Sequence, residues 1–154
     1  MMIEIVTSGQ TRSAVAREIL EGLTDWFEIP ETREKYIADA AHQRMAAAWD
    51  GDRPVGFLCL EETGRDTVEI AVMGVARDHH RQGIGRGLFA AAKREAAARG
   101  YSFLQVKTVQ MGRYPDYDRT NLFYRSLGFK EFEVMPLYWD EKNPCQIYVM
   151  ALSE

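Results

Sequence analysis

The pattern of apolar and polar positions divides the chain into two kinds of segment. Short runs rich in β-branched and aromatic residues predict strands, and segments whose apolar residues recur every three or four positions predict helices. The predicted strands cover residues 2–7, 43–50, 53–62, 67–75, 101–108, 129–138 and 146–152. The segment 67–75 is the most apolar of them, so we expect it to run through the centre of a sheet.

Four helices are predicted between these strands, and each has an apolar face. The first follows a cap at Thr11 or Ser13, the second begins near Pro30, and the others span 83–99 and 118–127. Their predicted core-facing residues are, in chain order, Val15, Ile19, Leu23 and Phe27; Tyr36, Ile37 and Ala40; Ile84, Leu88, Ala91, Ala92 and Ala96; and Phe123 and Leu127. This order of elements predicts an α+β fold, with a mixed central sheet of about seven strands flanked by about four helices.

Composition narrows the class of protein. A chain of 154 residues fits a single domain over 1–154. A net charge of -4 argues against a nucleic-acid partner, which usually requires a basic face. No apolar run approaches the roughly 18 residues of a membrane span, so no membrane partner is expected. Two cysteines, Cys59 and Cys145, suggest neither a disulfide framework nor a metal cluster, which favours a reduced, cytoplasmic protein.

The most informative segment is a glycine-rich helix start. Glycine costs roughly 0.5–1 kcal/mol relative to alanine within a helix, so three closely spaced glycines need a compensating role. The unpaired N–H groups of a helix N-terminus attract phosphate, and glycines would let a pyrophosphate approach them. Two arginines add positive charge beside these amides. The segment reads Arg81-Gln82-Gly83-Ile84-Gly85-Arg86-Gly87.

Several interpretations of this segment compete. A P-loop requires a Gly-Lys-Ser/Thr ending, which is absent. A dinucleotide site requires Gly-x-Gly-x-x-Gly and an acidic residue about 20 positions on. Here the spacing is Gly-x-Gly-x-Gly, and the corresponding later position is Lys107. A coenzyme A pyrophosphate loop fits the segment, and a tight loop with no ligand is the structural alternative.

The segment resembles the signature of the GNAT N-acetyltransferases, Arg/Gln-x-x-Gly-x-Gly/Ala after a central strand. His80 to Gly85 match it except at the first position, where histidine replaces Arg or Gln. The resemblance implies that acetyl-CoA is the co-substrate, bound without a metal, with Met73 and Val75 offering backbone groups to its pantetheine arm where the sheet splays apart. The residues implied at the pyrophosphate are Arg81, Gln82, Gly83, Ile84, Gly85, Arg86 and Gly87.

Acetyl transfer to an amine requires a base, because amines are mostly protonated near neutral pH. Glu69 interrupts the apolar segment 67–75, and a carboxylate on a mostly buried strand suits that task. Its position, six residues before Val75, resembles that of the general base in the histone-acetylating branch of the family. There are two alternatives: Glu69 faces solvent, or water molecules serve as the base without it.

The departing thiolate requires a proton, and Tyr124 is the candidate donor. Phe123-Tyr124 followed by Gly128-Phe129 resembles a second family signature, in which a tyrosine acts as general acid at the CoA sulfur. With Phe123 and Leu127 facing the core, Tyr124 would point about 100° away, towards a cleft. Packing at the sheet edge is the alternative. The asparagine that many members carry seven residues earlier is Tyr117 here, which removes one expected contact with CoA.

Other chemistry-bearing residues carry weaker signals. His79 and His80 follow Asp78, but adjacent histidines point apart and no third metal ligand is suitably spaced. Cys145 has no evident base partner as a nucleophile. Four aromatic residues form either part of the core or an acceptor pocket: Trp26, Phe27, Tyr138 and Trp139.

The sequence therefore predicts an N-acetyltransferase that passes the acetyl group of acetyl-CoA directly to a primary amine of a small molecule or a protein. Two other functions stay open, an acyltransferase that uses another acyl-CoA and a non-catalytic acyl-CoA sensor that regulates a partner protein. The identity of the acceptor is not encoded in any motif. The oligomeric state, including a homodimer, also stays open.

Overall fold

The secondary structure follows the hydrophobic pattern with small shifts at the ends of elements. The computed structural model describes residues 1–152, and seven strands within them form one sheet. The strands are β1 (Met2–Val6), β2 (Arg44–Asp50), β3 (Arg53–Gly64), β4 (Thr67–Val75), β5 (Phe103–Val109), β6 (Lys130–Asp140) and β7 (Asn143–Ala151). Four α-helices cover the sheet: α1 (Gly9–Glu21), α2 (Pro30–Ala40), α3 (Ile84–Ala98) and α4 (Pro115–Ser126). The expected α+β class is thus confirmed.

Two helix starts differ from the predicted ones. Helix α1 begins earlier, because the side chain of Ser8 caps it by accepting a hydrogen bond from the Thr11 N–H at 3.3 Å. Helix α4 also begins earlier, at Pro115, whose fixed φ suits the first helical position. Neither Thr11 nor Ser13 is therefore the cap of α1.

The strands lie in the order β1-β2-β3-β4-β5-β7-β6, and the pairing is antiparallel except between β4 and β5. That parallel pair joins only three residues of each strand and ends at Glu69↔Gln105. Beyond this point β4 stays paired with β3 as far as Val75, and β5 stays paired with β7 as far as Val109. The sheet therefore opens between β4 and β5 from Glu69 onwards.

A bulge in β4 lies beside this opening. Adjacent residues of β3 pair with Ile70 and Val72, so Ala71 is the extra residue. Because of it, Val68 and Ile70 before the bulge and Met73 after it all lie on the face covered by α3 and α4. Val72 packs into the other core cluster, under α1 and α2. The bulge redirects β4 where it leaves β5.

The predicted core face of α3 is confirmed, and that of α4 is rotated, although Phe123 and Leu127 still pack against the core cluster. Tyr124 and Asn121 are the buried residues of α4, whereas Phe123 and Leu127 are only partly buried. The cause is a buried polar contact: the Asn121 Nδ2 donates to the Val109 carbonyl at 2.8 Å, and its Oδ1 accepts from the Tyr148 hydroxyl at 2.5 Å. These bonds turn the Asn121–Tyr124 face of α4 towards the sheet.

Candidate active site

The opening between β4 and β5 exposes backbone groups of β4. The Ala76 N–H donates to the Val55 carbonyl of β3 at 2.8 Å. Because successive residues of a strand direct their backbone groups to opposite sides, those of Met73 and Val75 point away from β3 and into the opening. His80 Nε2–H donates to the Val75 carbonyl at 2.7 Å. The residue that departs from the family signature is therefore bound at the Val75 end of these backbone groups.

The loop after β4 adopts an unusual backbone to begin α3. Arg81 has φ 65°, and Gly83 follows with φ 78° as the N-cap of the helix. The first intrahelical bond runs from the Gly87 N–H to the Gly83 carbonyl at 3.1 Å. The N–H groups of Gly83, Ile84, Gly85 and Arg86 precede it and belong to the unpaired end of a helix. Within residues 1–152 no side chain caps them, since the N-cap is a glycine.

The three glycines of this segment have different structural roles. Gly83 needs its positive φ, and an added Cβ there would meet no atom within 4 Å. A Cβ on Gly85 would approach Met73 Cε to 3.1 Å and Phe123 Cζ to 3.2 Å, and one on Gly87 would clash with Ile3 Cδ1 at 2.5 Å. Open space for a ligand therefore lies at Gly83, while Gly85 and Gly87 allow α3 to pack closely.

The side chains of the segment also differ in their surroundings. Arg81 and Gln82 are exposed beside the unpaired amides. Arg86 is bound to α4 instead, because its Nη2 donates to Ser126 Oγ at 2.7 Å and its guanidinium lies 5.9 Å from the centroid of the Phe123 ring. Arg86 therefore contributes its charge from a fixed position between the two helices.

Glu69 lies where β4 and β5 separate, and its carboxylate is bound by two side chains of β5. The Gln105 Nε2 donates to Glu69 Oε1 at 2.9 Å, and the Lys107 ammonium donates to the same oxygen. The side chains of Glu69 and Lys107 are 14% and 17% exposed. Glu69 thus forms a cross-strand ion pair with Lys107, which the strand pattern did not predict.

Lys107 and Gln105 are site residues that sequence reasoning did not find. They alternate in β5 with the buried Leu104 and Val106. This alternation indicates that one face of the strand is polar. The Lys107 ammonium also lies 5.5 Å from the centroid of the Tyr138 ring. Burial by itself would lower the Lys107 pKa, but the hydrogen bond and the charge of Glu69 outweigh it and raise that pKa above its usual value. Lys107 is therefore a cation at neutral pH.

Tyr124 is buried rather than directed away from the core. It is 9% exposed and its ring packs against Phe129 and Tyr148, at centroid distances of 5.7 and 6.2 Å. Burial raises its pKa to about 12. Among residues 1–152 no group hydrogen-bonds to its hydroxyl, which stays protonated at neutral pH.

The histidines and the aromatic residues lie in several places. His79 bonds to the carboxylates of Asp78 at 2.9 Å and Asp50 at 3.2 Å, and these contacts, led by that of Asp78, raise its pKa. The structure does not bring the four predicted aromatic residues together. Phe27 packs on Tyr36 in the core, Trp26 packs on Tyr117, and Trp139 packs on Tyr138, which reaches the Glu69–Lys107 pair.

Residues 1–152 contain no group of three or more His, Cys, Asp or Glu side chains arranged to hold a metal ion. Within the same range, every helix is too short or too polar to cross a membrane. Cys145 is buried and its pKa is raised, mainly by that burial, which disfavours its thiolate form.

Comparison with known proteins identifies the protein family to which the chain is similar. Residues 41–131, more than half of the chain, match the family profile described as Acetyltransferase (GNAT) domain. A relative from Bacillus subtilis (strain 168), named uncharacterized N-acetyltransferase YsnE, is 29% identical over 97 residues, which cover 63% of this chain and 62% of the relative. The chain thus matches somewhat less than two thirds of that relative's length.

Solved structures agree in fold. A GNAT-family acetyltransferase structure from Desulfovibrio desulfuricans has a TM-score of 0.83 at 19% identity, over 99% of this chain and 100% of the other. An aminoglycoside 6′-N-acetyltransferase complexed with coenzyme A has a TM-score of 0.82 at 18% identity, over 100% of this chain and 98% of the other. At identities this low, the structural similarity establishes a shared fold alone. Together with the family match, it shows that the chain belongs to the GNAT acetyltransferases.

Proposed function

We propose that this chain transfers the acetyl group of acetyl-CoA directly to a primary amine. The observation that carries the proposal is the opening between β4 and β5, because it lies beside both the unpaired amides before Gly87 and the Glu69 carboxylate. The coenzyme supplies a thioester whose carbonyl an amine can attack. The proposal concerns a cytoplasmic setting, which fits two free, buried cysteines, Cys59 and Cys145.

The proposed seat of the coenzyme uses backbone groups for most of its contacts. The N–H groups from Gly83 to Arg86 would hold the pyrophosphate, since they combine free donors with the positive end of the α3 dipole. Arg81 and Gln82 would add side-chain contacts from the exposed side of the loop. The backbone of Met73 and Val75 would pair with the pantetheine arm in the opening. Gly87 would serve by packing on Ile3, because its own N–H is engaged within the helix.

The proposed chemistry assigns one proton transfer to each of two side chains. Glu69, directly or through a water, takes a proton from the ammonium form of the acceptor, which leaves a nucleophilic amine. The amine nitrogen bonds to the carbonyl carbon and loses its second proton to solvent, and the carbon–sulfur bond then breaks. Tyr124 gives its proton to the departing thiolate and regains one from solvent. The Tyr124 hydroxyl is protonated at neutral pH and therefore has a proton to donate.

A thermal unfolding experiment tests the binding half of the proposal. A ligand at a hundredfold excess over its dissociation constant stabilises the folded state by about 2.7 kcal/mol. We expect acetyl-CoA to raise the melting temperature accordingly, and NADH and ATP to raise it much less. An equal effect of NADH would favour a dinucleotide site at the same helix start and would contradict the proposed seat.

A further inference from the structure

The two donors to Glu69 bind the same oxygen atom. Gln105 Nε2 and Lys107 Nζ both reach Oε1, from alternate positions of β5. In the part of the chain that the structure describes, Oε2 has no hydrogen-bond partner, whereas Oε1 has two. One carboxylate oxygen is thus anchored by the protein, and the other is not.

Lys107 is itself held in place from several sides. Glu69 attracts its ammonium from β4, and the Tyr138 ring faces it from β6 at 5.5 Å. Cys145 of β7 is the other titratable group whose charge acts on it. On the far side of Glu69, the cross-strand partner in β3 is Glu61, another carboxylate.

A purely stabilising role explains this arrangement poorly. Partly buried ion pairs contribute little to folding, because the loss of hydration offsets most of their attraction. Two donors on one oxygen leave the other unsatisfied, whereas a structural carboxylate gains most from partners on both. The asymmetry suits a group that must be oriented and must still accept a proton.

We propose that Lys107 is the positioning residue of the reaction, which anchors Glu69 by Oε1 so that Oε2 faces the acceptor amine. The inference rests on the proposed function, since it assigns the proton to a defined oxygen of Glu69. Lys107 contacts neither acceptor nor coenzyme in this account and acts through the carboxylate alone.

The test compares Lys107→Met, Lys107→Arg and the matched control Lys35→Met, which removes a lysine paired with Asp39 on the exposed surface of α2. The rate of thiol release, as kcat/KM, is measured against pH. We expect Lys107→Met to lose on the order of 10- to 100-fold and to move the acid limb of the profile to higher pH. Lys107→Arg keeps the charge and should return the limb towards its original position, and Lys35→Met should leave it in place.

A second measurement does not depend on turnover. NMR titration of the Lys107 side chain in the wild-type protein and in Glu69→Gln should show a lower Lys107 pKa in the variant, since Glu69 raises it. This titration also tests the pairing of Glu69 with Lys107 if Lys107→Met fails to fold.

The outcomes separate the two proposals. An unmoved acid limb in folded Lys107→Met, with the wild-type protein active, would overturn the positioning role alone. A Lys107 pKa that is the same in Glu69→Gln would overturn the pairing on which that role rests. Absence of thiol release from the wild-type protein with every amine would overturn the proposed function and this inference with it.

Discussion

Glu69 and Tyr124 lie on opposite faces of the central sheet. Val68 and Ile70, which flank Glu69 in β4, are buried with Tyr124 in the core cluster under α3 and α4, so the side chain of Glu69 points to the other face. In the proposed reaction the amine therefore loses its proton on one face, and the thiolate gains one from the other. The opening between β4 and β5 connects the two faces of the sheet.

The first prediction separates ligand contact from helix packing at the glycine-rich loop. Asparagine tolerates the left-handed backbone of Gly83, and its Cβ meets no neighbouring atom, so Gly83→Asn should melt near the wild-type temperature without ligand. Its side chain would stand over the unpaired amides, and the stabilisation by acetyl-CoA should largely disappear. Thermal unfolding with and without acetyl-CoA checks this.

Gly85→Val is the comparison variant. Overpacking against Met73 and Phe123 should destabilise it by about 1–3 kcal/mol even without ligand. A full acetyl-CoA effect in Gly83→Asn would show that the coenzyme does not approach Gly83.

The second prediction concerns Tyr124. Replacement by phenylalanine keeps the ring contacts with Phe129 and Tyr148, and it removes a hydroxyl that makes no hydrogen bond within the described residues. Tyr124→Phe should therefore fold normally and bind acetyl-CoA as before, while turnover falls on the order of 10²-fold or more. Because a pKa of about 12 keeps the hydroxyl protonated across the neutral range, Tyr124 should add no basic limb there to the pH profile.

Single-turnover rates decide this prediction, because they isolate the chemical step from product release. Unchanged single-turnover rates in Tyr124→Phe would limit this residue to packing.

The third prediction tests the polar contact that orients α4. Asn121→Leu removes the donor to the Val109 carbonyl, while the Tyr148 hydroxyl keeps its contact with Arg125 Nε at 3.2 Å, and a buried carbonyl left unsatisfied costs about 1–3 kcal/mol. We expect denaturant unfolding to show a loss in that range. Tyr148→Phe is the matched partner variant, and the double variant should lose less than the sum of the two single losses. Strict additivity would mean that the two side chains do not interact.

Local pattern was sufficient for most of the fold and for part of the site. Helical spacing predicted the buried face of α3, including Ile84 and Leu88, and apolar composition placed β4 at the centre of the sheet. The local pattern failed where the orientation of an element depends on contacts with residues distant in the sequence. The rotation of α4 follows from the bonds of Asn121 to β5 and β7, and no spacing within α4 reveals them.

The partners of Glu69 were missed for the same reason. Gln105 and Lys107 reach Glu69 only because β4 and β5 pair in parallel with Glu69 opposite Gln105, a register that the crossover through α3 sets. The sequence offered the alternation of β5 but no means to align it with β4.

The fourth prediction concerns the base. Glu69→Gln is nearly isosteric, so the fold should persist, and the acid limb of the pH profile should flatten with a rate loss of order 10² to 10⁴. The profile of kcat/KM between acidic and neutral pH is the measurement. An intact limb would move the ionisation to a water, to Glu61 or to the acceptor, and would leave the rest of the account standing.

The most direct test of the central claim is a screen of acetyl-CoA with a library of amines, amino acids, polyamines, aminoglycosides and peptides. Thiol release is followed together with the mass of the acceptor. The account predicts that at least one amine releases thiol above background and gains one acetyl group for each thiol released, and that Tyr124→Phe slows both together. Tight binding of acetyl-CoA without thiol release by any acceptor would contradict the account and would favour an acyl-CoA sensor.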